Sequence, residues 1–450
     1  MISLFTMMLA LTPVSDPEGA PAGATPSAPD AAATSSDTPA PSAAPAETKP
    51  QPTPAETTPA VPTTGTAPVV SWGAQIRPRV EKSFGGNLGV PRSTETLDEL
   101  GNYRVSQRSR ATLAITADLL RARLTLQDVR VWATERSTQG DYTADGLDLH
   151  EGYVQLGVDD ALRVGRQEIV FGRGRLLGNS DWIQQARTFD ALVLWHQTPN
   201  AKLTFVATRV KESAGAHPFF DVLAGELQTT RAGLRLSVPV ICMTNQWLKS
   251  TDRGPSTEGW SLATGGADLS FDGPWFGRAE VYGQTGTNHF AYLFAASAGY
   301  TLSELWAPML GIEYLSGDKD HTNRQSGTFD TLFQSSRAFY GLMDRFANIA
   351  ADTNDGGLVD ILAQNHARLG AGTLDVAVHH FRLARPDRLG NDGALGIEAD
   401  AVYSVPVVDH VTLSIGGGLF VDQGDIASAR KTASIRTWHD WVYAGLDLSL

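Results

Sequence analysis

One cysteine, Cys242, stands in a chain of 450 residues. A lone thiol excludes an intrachain disulfide framework and any zinc or iron–sulfur site that needs several Cys ligands from one chain. Lysine is scarce, with 7 residues against 29 arginines. Long hydrophobic runs are also missing. Beyond residue 15 no stretch approaches the ~18 consecutive apolar residues of a membrane-crossing helix. The net charge of −13 argues against nucleic acid as a partner, because such binding requires a basic surface. No G-x-S-x-G elbow, P-loop or H-E-x-x-H motif occurs, so neither an enzyme nor a cofactor is expected.

What is present falls into three expected regions. Residues 1–15 contain an apolar run, Ile2–Val14, with the length of a signal-peptide core. No Lys or Arg precedes it and no clean A-x-A site directly follows it, so either the start lies further upstream or the cleavage site is degenerate. Residues 16–70 are rich in Pro, Ala, Thr and Ser, with 13 of the 24 prolines between Asp16 and Pro68. Such a composition buries no core and is expected to form a disordered, semi-extended linker. Residues 71–450 must then hold the working structure.

Their dominant period is 2, the signature of half-buried strands. In Leu395–Val405 the apolar residues Leu395, Ile397, Ala399, Ala401, Tyr403 and Val405 share one face, and Glu398 and Asp400 take the other. Val411–Val421 and Val442–Leu450 alternate in the same way. Several alternating segments run to the nine to eleven residues that cross a bilayer at ~45° tilt, whereas soluble strands average ~5–6. The last segment is such a strand, as in outer-membrane barrels, although it ends in Leu450 where an aromatic residue is common. At roughly 20 residues per strand and turn, the fold class expected is all-β: an antiparallel transmembrane β-barrel of about 18 strands. Closure follows from the need to pair every backbone polar group in lipid.

Positive charge concentrates early. Residues 77–187 carry a net +1, residues 16–66 a net −5, and residues 188–450 a net −9. Alternation assigns many arginines to the lumen, because a lipid-facing Arg at mid-bilayer costs about 2–4 kcal/mol. With Leu120, Ala122, Leu124 and Leu126 outward, Arg121, Arg123 and Gln127 face inward. With Val129 and Val131 outward, Asp128, Arg130 and Trp132 face inward. The two registers differ by one residue, so either a bulge lies near Gln127–Asp128 or one assignment is wrong. Inward arginines interleaved with Asp and Glu fit a structural lattice of salt bridges. They also fit a basic constriction that selects anionic solutes through guanidinium–carboxylate pairing.

The segment Leu162–His196 contains Gly165-Arg166-Gln167-Glu168, Arg175-Leu176-Leu177-Gly178, Asp181-Trp182 and Arg187-Thr188-Phe189-Asp190. Upstream stands Gln127-Asp128-Val129-Arg130-Val131-Trp132; downstream stand Gly327-Thr328-Phe329-Asp330 and Phe339-Tyr340-Gly341-Leu342-Met343-Asp344. Together they resemble the alginate-export family of outer-membrane porins. The resemblance implies an 18-stranded barrel in the outer membrane, with an arginine-rich, partly plugged lumen that passes an acidic polysaccharide. Motif position carries Arg130, Arg166, Arg187 and Asp190 over as lumen groups, and Arg108 and Arg110 join them as candidate solute-binding residues.

Other constellations point to structure. Gly172, Gly174 and Gly178 have the wrong spacing for a dinucleotide loop and are expected in a strand-connecting turn. His379 and His380 are adjacent on a strand, so they face opposite sides and make a poor metal pair. Asp318, Asp320, His321 and Asn323 lack the further oxygens of a calcium site. Glu398 and Asp400 share a face, as lumen carboxylates commonly do. No metal is expected. The expected function is an outer-membrane channel for an anionic polysaccharide or sugar acid. The alternative is a loop-plugged structural or adhesive barrel with no selective transport. Expected partners are outer-membrane lipid, that anionic solute, and periplasmic export proteins or peptidoglycan.

Overall fold

A computed structural model describes residues 67–84, 102–132, 147–211, 219–244, 260–320, 325–388, 393–423 and 438–450. The apolar N-terminal run and most of the Pro-rich segment lie outside the described residues, as do His321 and Asn323. The first strand, β1, is Val69–Phe84, followed by β2 (Asn102–Ala117), β3 (Leu120–Val131), β4 (Leu147–Gly157), β5 (Asp160–Gln167) and β6 (Phe189–Gln197). Next come β7 (Ala201–Lys211), β8 (Phe219–Arg231), β9 (Leu234–Thr244), β10 (Ser261–Phe271), β11 (Trp275–Gly286) and β12 (His289–Tyr300). The circle is completed by β13 (Ala307–Leu315), β14 (Leu358–Leu369), β15 (Gly372–Arg382), β16 (Ala394–Val408), β17 (Val411–Asp422) and β18 (Trp438–Ser449).

Each strand pairs antiparallel with the next, and β1 pairs with β18 from Gln75↔Ser449 to Phe84↔Asp440, which closes the 18-stranded sheet. No strand edge is left open, as a bilayer requires. Among the described residues no helix is long and apolar enough to cross a membrane. Tight turns such as Asp118–Leu119, Ala232–Gly233 and Asp409–His410 gather at one end, where β1 begins and β18 finishes. The long connections gather at the other end. Short turns mark the periplasmic end of such barrels and long loops the extracellular end.

The expected alternation is visible on β12, where Phe290, Tyr292, Phe294, Ala296 and Ala298 face out, and Ala291, Leu293, Ala295 and Ser297 face in. The expected bulge is displaced. The β2–β3 register is unbroken from Ser106↔Val131 to Ala117↔Leu120, so Asp128, Arg130 and Trp132 stay on the outward face begun by Leu120. The extra residue is His150 in β4, since Thr125 pairs with Glu151 and Leu126 with Leu149. Val129 and Val131 consequently turn inward, and the lumen placement expected for Arg130 is corrected.

Two long connections fold into the barrel instead of away from it. The β5–β6 loop (168–188) and the β13–β14 loop (316–357) interlock through a parallel bridge, Leu177↔Phe333, and backbone bonds Gly178 N–H to Phe333 O and Phe333 N–H to Leu176 O. Their apolar residues Phe171, Leu176, Phe329, Phe339 and Phe346 form one buried cluster with inward-facing Phe381, Phe420 and Trp441 of the wall. Burial of this kind offsets the conformational entropy of ordering long loops. The pair therefore forms a packed plug.

Candidate functional site: a plugged lumen between two charged walls

Inward positions sort by charge around the barrel. The β1–β2 wall presents Arg77, Arg79, Arg104, Arg108 and Arg110, with Glu81 among them. The β8–β16 wall presents Glu226, Asp268, Glu280, Glu313, Asp360 and Asp375, followed by Glu398 and Asp400, with Arg278 of β11 paired to Glu280 and Glu313 among them. The sequence-level excess of early arginine thus becomes a basic wall facing an acidic one. Such an arrangement sets a transverse field across any solution path between them.

The β5–β6 loop spans the gap with charge complementary to each wall. Its Asp181 carboxylate accepts from Arg108 Nη1 at 2.8 Å, Arg77 Nη1 at 3.3 Å and Arg110 Nη1 at 3.4 Å. Arg108 is 1% exposed and is further held by Gln75 Oε1 at 3.0 Å. Burial alone would push the Asp181 carboxyl up, but Arg108, Arg77 and Arg110 overcome it and hold the group well below the usual carboxylate range. Six residues earlier in the same loop, Arg175 donates to Glu280 Oε2 and Glu313 Oε2, each at 2.7 Å, and to Tyr340 Oη at 2.9 Å. Burial disfavours its charge, yet Glu280 and Glu313 together hold the guanidinium firmly protonated.

The β13–β14 loop adds further fastenings. Leu342 N–H donates to Asp400 Oδ2 at 3.1 Å and Met343 N–H to Glu398 Oε1 at 2.7 Å. Gly341 has φ +84, and a Cβ there would collide with the Glu398 carboxylate, so the close approach requires glycine. Arg337 lies buried with its guanidinium 3.7 Å from the centre of the Trp441 ring. Burial lowers its pKa to about 9.

The candidate residues divide. Arg108 and Arg110 occupy the basic wall, as expected. Arg187 lies within the plug, where its Nη1 donates to the carbonyls of Gly178, Phe333 and Gln334 and so ties the two loops together. Burial lowers its pKa to about 10. Arg166 and Asp190 face out: their neighbours Gly165, Gln167, Phe189 and Ala191 point inward, and the two form a bidentate pair at 2.8 Å on the external surface. Arg130 pairs externally with Asp128 at 2.6 Å. The lumen placement expected for Arg130, Arg166 and Asp190 is therefore replaced by the outer face. Arg77, Arg175 and Asp181 were missing from the candidate set. Arg77 was legible from its spacing to Arg79, but the contacts of Asp181 reach across 71 to 104 positions in sequence.

The glycine-rich stretch 172–178 is part of the plug, with Gly172 N–H donating to Glu226 Oε1 at 2.6 Å. His379 faces inward against Asp360 at 2.9 Å, and among the described residues no group of three or more metal-ligating side chains converges. Beneath the plug, at the short-turn end, lies a cavity of about 1430 Å³ lined by Arg77, Arg79, Asp181, Trp182, Arg368 and His410, among others.

No curated protein sequence matches the chain. The fold is shared with solved structures at low identity. Acinetobacter baumannii OccAB1 has a TM-score of 0.57 at 11% identity, covering 85% of this chain and 96% of that one. Pseudomonas aeruginosa OpdL has 0.55 at 10% identity, covering 85% and 98%. Pseudomonas aeruginosa OccK2 (OpdF) has 0.54 at 12% identity, covering 85% and 97%. Residues 69–211, from β1 to the end of β7, match the family model described as alginate export. The protein is a closed 18-stranded β-barrel of the outer membrane, and its first seven strands match the alginate-export family model.

Proposed function

We propose that the barrel passes an anionic polysaccharide or sugar acid, recognised by the arginines of β1 and β2. The observation that carries this reading is the Asp181 carboxylate seated among Arg77, Arg108 and Arg110. A protein carboxylate held by three guanidiniums is a surrogate for the carboxylate of a uronate-like solute. An entering solute would exchange with Asp181, and the freed loop would swing from the basic wall. Each sugar carboxylate could then pass along Arg77, Arg108 and Arg110 toward the cavity at the short-turn end. Arg pairing with carboxylates is bidentate and charge-assisted, which supports selection by chemistry as well as by size. Ion selectivity in planar bilayers tests it. Arg108→Gln and Arg110→Gln should lower the preference for anions and weaken current block by oligouronates. An unchanged selectivity in both variants would sink the proposal.

One observation favours a second reading, a closed structural barrel: the plug is bound to both walls and to itself. On that reading the wild-type protein shows no conductance with any solute, and binding partners outside the lumen carry the function.

A further inference from the structure

The outer surface of β5 and β6 is unlike a lipid-facing surface. On β5 the outward residues are Asp160, Leu162, Val164 and Arg166; opposite them on β6 stand His196, Leu194, Leu192 and Asp190. Asp160 Oδ1 and His196 Nδ1 are 2.6 Å apart, and Arg166 meets Asp190 at 2.8 Å. Two polar rungs thus bracket an apolar strip only two residues tall on each strand. At about 3.3 Å per residue and 35–45° tilt, the rungs are about 15 Å apart, against an apolar band of about 25 Å in outer-membrane barrels. Phe290 to Tyr300 on β12 shows the ordinary case, a charge-free outward column about 25 Å long.

The upper rung continues as a row. Beyond Asp190 comes Arg209 of β7, which donates to Asp221 of β8 at 2.7 Å; both face outward with Leu203, Phe205 and Leu223. The row therefore alternates Arg166, Asp190, Arg209, Asp221, and carries no net charge. Small outward residues, Gly152, Ala207 and Gly225, accompany it. A phosphate-rich lipid surface would be met by unpaired cations, and each arginine of this row already has an aspartate. Alternating charge is instead complementary to itself. A two-fold rotation about the membrane normal reverses the row, so arginine faces aspartate near the axis, as an isologous contact requires.

We infer that the outer face of β4–β8 is the contact surface for a second copy of this chain. Pairing two copies removes the thin strip and both rungs from lipid, which ends the hydrophobic mismatch. It also leaves the tall apolar columns of β11 and β12 facing the bilayer.

The test uses the full chain in lipid nanodiscs and vesicles, with Cys242→Ser as background. Ala207→Cys should form a disulfide-linked dimer on mild oxidation, and Ala279→Cys on outward β11 should not. Arg209→Asp should lower the dimer fraction at least tenfold by native mass measurement, and Asp190→Arg with Arg209→Asp should restore it. Heat-dependent gel mobility reports that each variant is a folded barrel. A wild-type monomer at every protein-to-lipid ratio overturns the inference. So does equal cross-linking at the two cysteine positions, or a phosphorylated lipid retained by a monomer and lost in Arg209→Asp.

Discussion

Asp181→Asn changes one atom at the point where the plug meets the basic wall, and its consequence can be worked from the geometry. The carboxylate has one short charge-assisted bond, 2.8 Å from Arg108 Nη1, and three long ones, 3.3 Å from Arg77 and 3.4 Å from both Arg108 Nη2 and Arg110. A hydrogen bond to a charged group contributes about 1.5–3 kcal/mol net. The Asp181 side chain is 46% exposed toward the lower cavity, so solvent screening reduces the three long contacts to fractions of that. About 2–3 kcal/mol of loop fastening is then lost, and three guanidiniums are left repelling one another. At 1.36 kcal/mol per decade, the ratio of detached to seated loop rises roughly 30- to 150-fold. Single-channel recording should show that rise as longer or more frequent openings with increased anion preference. Because the native pKa of Asp181 lies below its unfolded value near 3.8, the fastening is complete above about pH 4 and weakens only as pH falls through the depressed native value. Wild-type conductance should accordingly be flat from pH 7 to 5 as far as this group is concerned. Asp181→Asn channels with unchanged open probability and selectivity would refute the idea that this carboxylate holds the gate.

Other substitutions separate fastening from recognition. Arg175→Met leaves Glu280 and Glu313 with Arg278 as their remaining cation and should destabilise the barrel by about 2–3 kcal/mol, read as a lower temperature for the gel-mobility shift. Asp344 is raised to about 6 by burial, only partly opposed by Arg337. Its native pKa exceeds the unfolded value near 3.8, so stability falls as pH rises through about 6. Asp344→Asn should therefore stabilise the protein by about 1–2 kcal/mol at pH 8 and leave it unchanged at pH 3, by thermal unfolding at the two pH values. Arg130→Ala, on the outer face, should leave anion selectivity unaltered in bilayers, whereas a lumen arginine would alter it.

The strands were legible because bilayer and barrel impose a two-residue period over long segments, and no competing helical pattern exists. The count of 18 followed from length alone. Site residues were harder, because a single inserted residue reverses every later side chain. His150 is that residue in β4, but the apolar pair Val129 and Val131 invited a bulge in β3 instead. Those valines face inward near the long-loop end, half-buried within the barrel, so apolarity there does not signal lipid. Arg166 and Asp190 misled for a related reason. They sit in the family-like motifs Gly165-Arg166-Gln167-Glu168 and Arg187-Thr188-Phe189-Asp190, whose other members Gln167, Glu168 and Phe189 do face the plug. Asp181 and Arg175 belong to a loop whose partners lie on distant strands, and no local pattern encodes such pairings.

The charge separation explains how a chain of net charge −13 can present a surface to anions. Apart from groups such as Glu81 and Glu151, which pair with Arg79, Arg104 and Arg123, the buried acidic residues gather on the β8–β16 wall, across the plug from Arg77 and Arg108. A loop bearing only negative charge would bind the basic wall and drift from the acidic one. A loop bearing only positive charge would do the reverse. Asp181 and Arg175 give one loop an anchor on each wall. On the proposed function, competition by a solute carboxylate acts at the Asp181 end, where the side chain is half exposed to the lower cavity. The Arg175 end is sealed from solvent and stays fastened. On the proposed function, solute frees Asp181 from the β1–β2 arginines, while Arg175 and the Arg187 bonds to Phe333 and Gln334 keep the loop tied to the rest of the plug.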